Sequence, residues 1–186
     1  MLPGDYSEAT TLAELEARFG KGNVRREMEP EPRVVLFPAD PTRRAYVTFY
    51  EAETFEHFAG ISVSDSGSRW RGKHGVHVGM TLAKVREVNG KPFFYSGFDK
   101  QKKARAHDGW SPALDDDDGS LGKFDVSEGE RLYFDIDFGV PGELPQGEAL
   151  PMDEHLSSDD PRFPNLGEVI VVTGIGASSS LDDEWQ

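Results

Sequence analysis

The sequence predicts an α+β fold made of two tandem repeats, each a helix followed by antiparallel strands (αββββ twice), with the helices packed on one face of an antiparallel sheet. Three observations predict it. Residues 11–24 (TLAELEARFGKGNV) and 81–94 (TLAKVREVNGKPFF) superimpose without a gap: Thr11, Leu12, Ala13, Gly20 and Lys21 fall on Thr81, Leu82, Ala83, Gly90 and Lys91, and Leu15 falls on Val85. Several segments behind these two alternate apolar and polar residues, the two-residue period of a half-buried strand. Composition agrees: with 37% hydrophobic residues, 11% aromatics, 20 Gly and 12 Pro, the chain suits a strand- and turn-rich protein better than a helical bundle.

Residues 1–8 read as a flexible lead-in and 9–68 as the first repeat. Ser7 or Thr10 can cap the first helix, and Thr11 stands three residues before Glu14, the spacing of a capping box. Leu12, Leu15 and Phe19 recur at helical spacing, and Gly20 follows as the C-terminal cap. The period then changes. Residues 24–29 and 33–37 read as strands separated by Pro30 and Pro32. Residues 44–50 (RAYVTFY) set Ala45, Val47 and Phe49 against Tyr46, Thr48 and Tyr50, and 57–64 (HFAGISVS) reads as a further strand.

Residues 69–176 form the second repeat. Its helix runs over 81–89 on Leu82, Val85 and Val88, and Asn89, Gly90 and Pro92 end it. Residues 93–98 read as a strand. Two insertions follow, 99–122 and 139–164, around the clearest strand of all, 131–138 (RLYFDIDF). Residues 168–175 (EVIVVTGI) are β-branched and read as a central last strand. Residues 177–186 read as a flexible acidic tail. Neither half hides both its helix face and its sheet face alone, and joining them buries a larger shared core.

The formal net charge is −14, which disfavours nucleic acid and anionic lipid as partners. The charge is segregated: residues 69–105 carry ten Lys/Arg against two acids, and residues 111–160 carry fifteen acids against two basic residues. These blocks either attract each other within the fold or present a docking surface for a charged partner. The absence of cysteine excludes disulfides and thiolate chemistry. No apolar run reaches the roughly 18 residues of a membrane span. The first ten residues have neither the basic nor the apolar region of a signal peptide.

The motif Gly79-Met80-Thr81…Val85…Gly90-Lys91-Pro92 resembles the repeat unit of the β-lactamase inhibitor protein and of the small BamE/SmpA-type lipoproteins. The first copy keeps Thr11, Leu15 and Gly20, with Ala9, Thr10 and Gly22 where the motif has Gly, Met and Pro. The block 68–98, with Asn89, Gly90, Lys91, Pro92 and Phe93 intact, is also similar to a group of bacterial exported proteins. The resemblance implies a periplasmic or secreted location, with the cytoplasm as the alternative. It also implies a shared activity of holding other proteins on an exposed sheet face or on loops, and it carries no catalytic residues.

No catalytic constellation stands out. Asp115, Asp116, Asp117 and Asp118 precede Gly119 as in part of a calcium loop. With Gly119 at the sixth position, however, Leu114 falls at the first and Asp125 at the twelfth, where an oxygen ligand and a bidentate Glu are needed. An acidic solvated loop is the plainer reading. His74 and His77 lie in a Gly-rich turn with no carboxylate between them. Gly174 and Gly176 follow a strand but no helix follows them, so they cannot build a phosphate-binding helix N-terminus. Trp70, Phe94, Tyr95 and Trp110 are the aromatics to weigh as an interaction surface, against the alternative that they plug the seam between the repeats. The expectation is a non-enzymatic exported module that binds an unidentified protein partner and needs no cofactor or metal. The alternative is a small-ligand binder or enzyme with a pocket beneath the insertions.

Overall fold

Thr11 opens the first helix with a complete capping box. Its hydroxyl accepts from the Glu14 amide at 3.3 Å, and the Glu14 carboxylate accepts from the Thr11 amide at 2.9 Å. Helix α1 (Leu12–Phe19) then buries Leu12 and Leu15 and ends at Gly20 with φ +82. Phe19 meets Phe37 edge-on at 5.4 Å. Thr11→Ala removes a cap and is expected to cost about 1 kcal/mol, read from the urea midpoint. An unchanged midpoint would mean that the box contributes nothing to the folded state.

The computed structural model describes residues 2, 6, 7, 9–107, 121–124, 132–152 and 155–179. After α1 come β1 (Val24–Glu27), β2 (Arg33–Leu36), β3 (Ala45–Glu51) and β4 (Glu56–Val63), an antiparallel meander. Thr81 caps α2 (Leu82–Asn89), its hydroxyl accepting from the Lys84 amide at 3.2 Å, and Gly90 closes the helix in the left-handed conformation. Leu82 and Val85 are buried, as their spacing predicts. Strands β5 (Phe94–Ser96), β6 (Lys103–His107), β7 (Leu132–Gly139) and β8 (His155–Ser157) follow, then a short helix α3 (Leu166–Val169) and β9 (Val171–Ser179).

The result is an α+β protein with a mainly antiparallel sheet. Seven strands run in the order β1-β2-β3-β4-β9-β7-β6, and β5 and β8 form a separate pair. Alternation sets the burial of β7: Leu132, Phe134, Ile136 and Phe138 are buried, while Tyr133, Asp135 and Asp137 are half-buried. Leu12, Leu15, Leu82 and Val85 belong to the same hydrophobic cluster as Val47, Ile61, Phe134 and Ile175.

Several expectations change. Among the described residues the second stretch holds five strands and an extra helix where four strands are expected. Within the expected insertion 99–122 lies β6, which pairs with β7 from Lys103↔Gly139 to His107↔Asp135. The insertion 139–164 contains β8, anchored by buried Leu156. The expected last strand, 168–175, starts late: its first residues fall in the helical turn Leu166–Val169, and β9 begins only at Val171. β9 continues to Ser179, three residues into the expected tail, since β4 and β7 flank it and pair with its backbone on both edges. In the expected lead-in, Leu2 and Tyr6 are buried, Tyr6 stacking on Phe58 at 5.7 Å.

Candidate functional site

Strand pairing fixes what stands on the face of the sheet away from Val47, Ile61 and Phe134. One row runs Tyr46–Ser62–Gly176–Asp135 and the next runs Thr48–Gly60–Ser178–Tyr133. The two central strands, β4 and β9, thus contribute only glycine and serine to these rows. β3 and β7 flank them with tyrosines. The walls are tied to the floor: the Ser178 hydroxyl donates to Asp135 Oδ2 at 2.7 Å, and the Tyr50 hydroxyl donates to the Ser179 carbonyl. Tyr50 remains 39% exposed. Space is tight at Gly176, where a Cβ would stand 3.0 Å from the Ile61 carbonyl oxygen.

At the β6 end of this face lies a cleft of about 460 Å3 that includes Ser64, Asp99, Lys103, Arg105 and Asp137. Asp99, Lys103 and Arg105 come from the expected insertion 99–122, so this is where a pocket beneath it would be. Its central feature is an ion pair, with Arg105 Nε donating to Asp137 Oδ1 at 2.7 Å. That hydrogen bond raises the ionisation of Arg105 further above its ordinary range. The pair also joins the basic and acidic sequence blocks. Elsewhere, hydrogen bonds from Arg33 and Arg25 hold Glu27 below the usual carboxylate range, and Arg162 does the same to Asp160. These are groups locked in their ordinary charge states. An acid or base poised near neutrality would need the opposite shifts. Among the described residues no group of three or more His, Asp or Glu converges to hold a metal ion.

A second opening, of about 390 Å3, is lined by Phe37, Thr42, Arg43, Arg69 and Trp70. Trp70 is partly buried against the core, and its indole N–H donates to the Arg43 carbonyl at 2.7 Å. The other predicted aromatics diverge. Phe94 is half-buried on β5. Tyr95 is 2% exposed, meeting Phe138 at 5.9 Å and Phe98 at 6.2 Å, so it belongs to the core rather than to a surface. The two-residue strand period sends Phe93 and Tyr95 inward together and leaves Phe94 on the other side. Trp110, Asp115, Asp116, Asp117 and Asp118 lie outside the described residues. His74 meets Phe124 edge-on at 6.3 Å and His77 Nδ1 lies 2.8 Å from the Gly75 carbonyl, so neither histidine faces the other through a shared ligand.

Sequence reading misses Phe37, Arg43 and Arg69 as companions of Trp70, because they join across the fold. The only signal is the dense RWR run at 69–71 and the Arg43-Arg44 pair. Comparison with protein-family models, curated proteins and solved structures finds no match to the chain.

Proposed function

We propose that the chain is a non-enzymatic, exported protein-binding module: two tandem helix-plus-strand units whose helices cover one face of the sheet and whose other face receives a partner. The observation that carries the reading is the floor of Gly60, Ser62, Gly176 and Ser178 between Tyr46 on one side and Tyr133 on the other. Small residues let a partner approach the backbone closely. Tyrosines contribute large amphipathic contact area at little entropic cost, as at interface hot spots. Export is proposed from the resemblance of the 68–98 block to exported proteins. Among the described residues no helix is long and apolar enough to cross a membrane.

The test is affinity capture from the source organism's envelope fraction, with wild type and Ser62→Trp side by side. Ser62 is exposed on β4, so the substitution is expected to leave the unfolding midpoint within about 0.5 kcal/mol of wild type. It is also expected to abolish capture of any partner seated on the floor. Recovery of the same proteins by both would count against the sheet face as the binding surface. A second reading, a small ligand in the cleft of about 460 Å3, has the convergence of Ser64, Asp99, Lys103 and Arg105 in its favour. Its Arg105 and Asp137 are committed to an ion pair, and Asp99 Oδ1 accepts from the Gln101 and Lys103 amides.

A further inference from the structure

We propose that the cleft between Phe37, Arg43, Arg69 and Trp70 binds a carboxylate carried by an acidic peptide segment. It is a second binding site, separate from the glycine–serine floor. Two distant stretches of chain build it, and hydrogen bonds to backbone carbonyls hold them together: the Arg69 amide donates to the Thr42 carbonyl at 2.8 Å, and the Trp70 indole donates to the Arg43 carbonyl at 2.7 Å. The Trp70 amide is fixed in turn by the Ser68 hydroxyl at 3.2 Å. Phe37 forms the base of the cleft. It sits at φ +51, a costly backbone state for an aromatic residue. That state is held by its amide on the Asn23 carbonyl at 2.7 Å and by the Asp40 amide on its own carbonyl at 3.0 Å. The Arg43 guanidinium lies 3.7 Å over the Phe37 ring. Stacking fixes the plane of a guanidinium and leaves its N–H edge free for a planar acceptor.

The charges around the cleft favour an anion. Neither Arg43 nor Arg69 forms an ion pair among the described residues. Asp40 is the nearby acid, and it is occupied: its Oδ1 accepts from the Thr42 hydroxyl at 2.8 Å and the Thr42 amide at 3.0 Å. Those bonds hold its carboxyl below the ordinary range, and the fields of Arg69 and Arg43 add to the effect. Arg44 is matched by Asp65 at 3.3 Å. Arg71 donates to the Ser68 carbonyl at 3.1 Å and the Trp70 carbonyl at 2.7 Å. Two cations that line the cleft, Arg43 and Arg69, therefore stand against one acid, in a chain of net charge −14.

The geometry favours carboxylate over phosphate. Arginine forks accept both anions, but here they stand beside the rings of Phe37 and Trp70, which suit the apolar neighbours of a peptide carboxylate rather than a free phosphate. A carboxylate takes such a fork in two parallel bonds, and an apolar neighbour in the same peptide can cover Trp70.

The test uses a fluorescein-labelled peptide, Gly-Glu-Phe-Glu-Gly, read by fluorescence anisotropy, so it needs no natural partner and stands or falls independently of the sheet-face reading. The peptide is expected to bind, and its amide counterpart Gly-Gln-Phe-Gln-Gly is not. Arg43→Gln and Arg69→Gln are each expected to weaken binding roughly 10- to 100-fold, the loss of a hydrogen bond to a charged group. Arg43→Lys, which keeps the charge but not the fork, should recover only part of the loss. Circular dichroism of each variant confirms that the fold is retained, and Arg69→Gln, at an exposed position, keeps the test decisive if Arg43→Gln unfolds. No binding at millimolar peptide, equal affinity in the folded variants, or tighter binding of inorganic phosphate than of the peptide would each overturn the assignment.

Discussion

Replacing Phe134 with alanine is expected to remove about 3–5 kcal/mol of folding stability. Phe134 is 0% exposed in the middle of β7. Its ring stacks on Phe124 at 6.2 Å with 24° between planes. The tip of the ring reaches Gly72: a Cβ built there would stand 2.5 Å from Phe134 Cζ. The ring therefore joins β7, the 121–124 turn and the segment ahead of α2. Deleting it leaves a cavity between the Phe124 ring and Gly72, and large-to-small changes at such sites cost the lost transfer energy plus the cavity. A domain with a total stability of about 5–15 kcal/mol would lose a large fraction of it. Urea unfolding gives the answer as a lower midpoint with an unchanged slope. A loss below about 1 kcal/mol would show that the core closes around the gap.

Alkali is expected to destabilise the protein by roughly 3 kcal/mol through Tyr95 alone. Burial, with a smaller contribution from the charge of Asp160, pushes its phenol up from the ordinary value of 10.0 to about 12. Below pH 10.0 the group is neutral in both folded and unfolded chains, and its contribution is fully present. Above that, the unfolded chain releases the proton while the folded chain keeps it. Stability then falls with rising pH until the folded phenol also ionises near pH 12. A phenol raised from 10.0 to about 12 corresponds to about 2.7 kcal/mol. Urea midpoints of wild type and Tyr95→Phe between neutral pH and pH 12 isolate the effect, because the other titrating groups cancel in the difference. Parallel curves for the two proteins would show that Tyr95 ionises as freely in the fold as outside it.

The legible parts of the fold are those where local chemistry and burial agree. Thr11 with Glu14, and Thr81 with Gly90, mark both long helices to within a residue. The alternation around Phe134 marks β7 by its period alone. β6 is illegible because its residues, KARAH, offer only Ala104 and Ala106 to the core. A sheet edge favours such cations, which discourage pairing with another chain, so the same residues that suit the edge conceal the strand. The end of β9 is hidden for the opposite reason. Gly176, Ser178 and Ser179 have weak strand preference, and partners on both edges impose the conformation. Of the candidate sites, Trp70 is legible as an aromatic among arginines. Its companions Phe37 and Arg43 are not, since nothing local ties them to Trp70. The small residues of the sheet floor look like turn signals until register sets them side by side.

The position of β9 sets the order in which the molecule can be assembled. β3 can pair with β4, and β6 with β7, through contacts close in sequence. Each pair then leaves one inner edge unpaired, on β4 and on β7, until β9 enters between them. The bond that seals this seam, from the Ser179 hydroxyl to the Phe58 carbonyl, spans 121 residues. Such a connection forms late and slowly, because a long loop must close before any contact compensates for it. On a ribosome, which delivers the chain from its N-terminus, β4 waits with an open edge while the chain from Phe58 to Ser179, 121 residues on, is delivered. The strand that completes the sheet is the last of its strands in chain order.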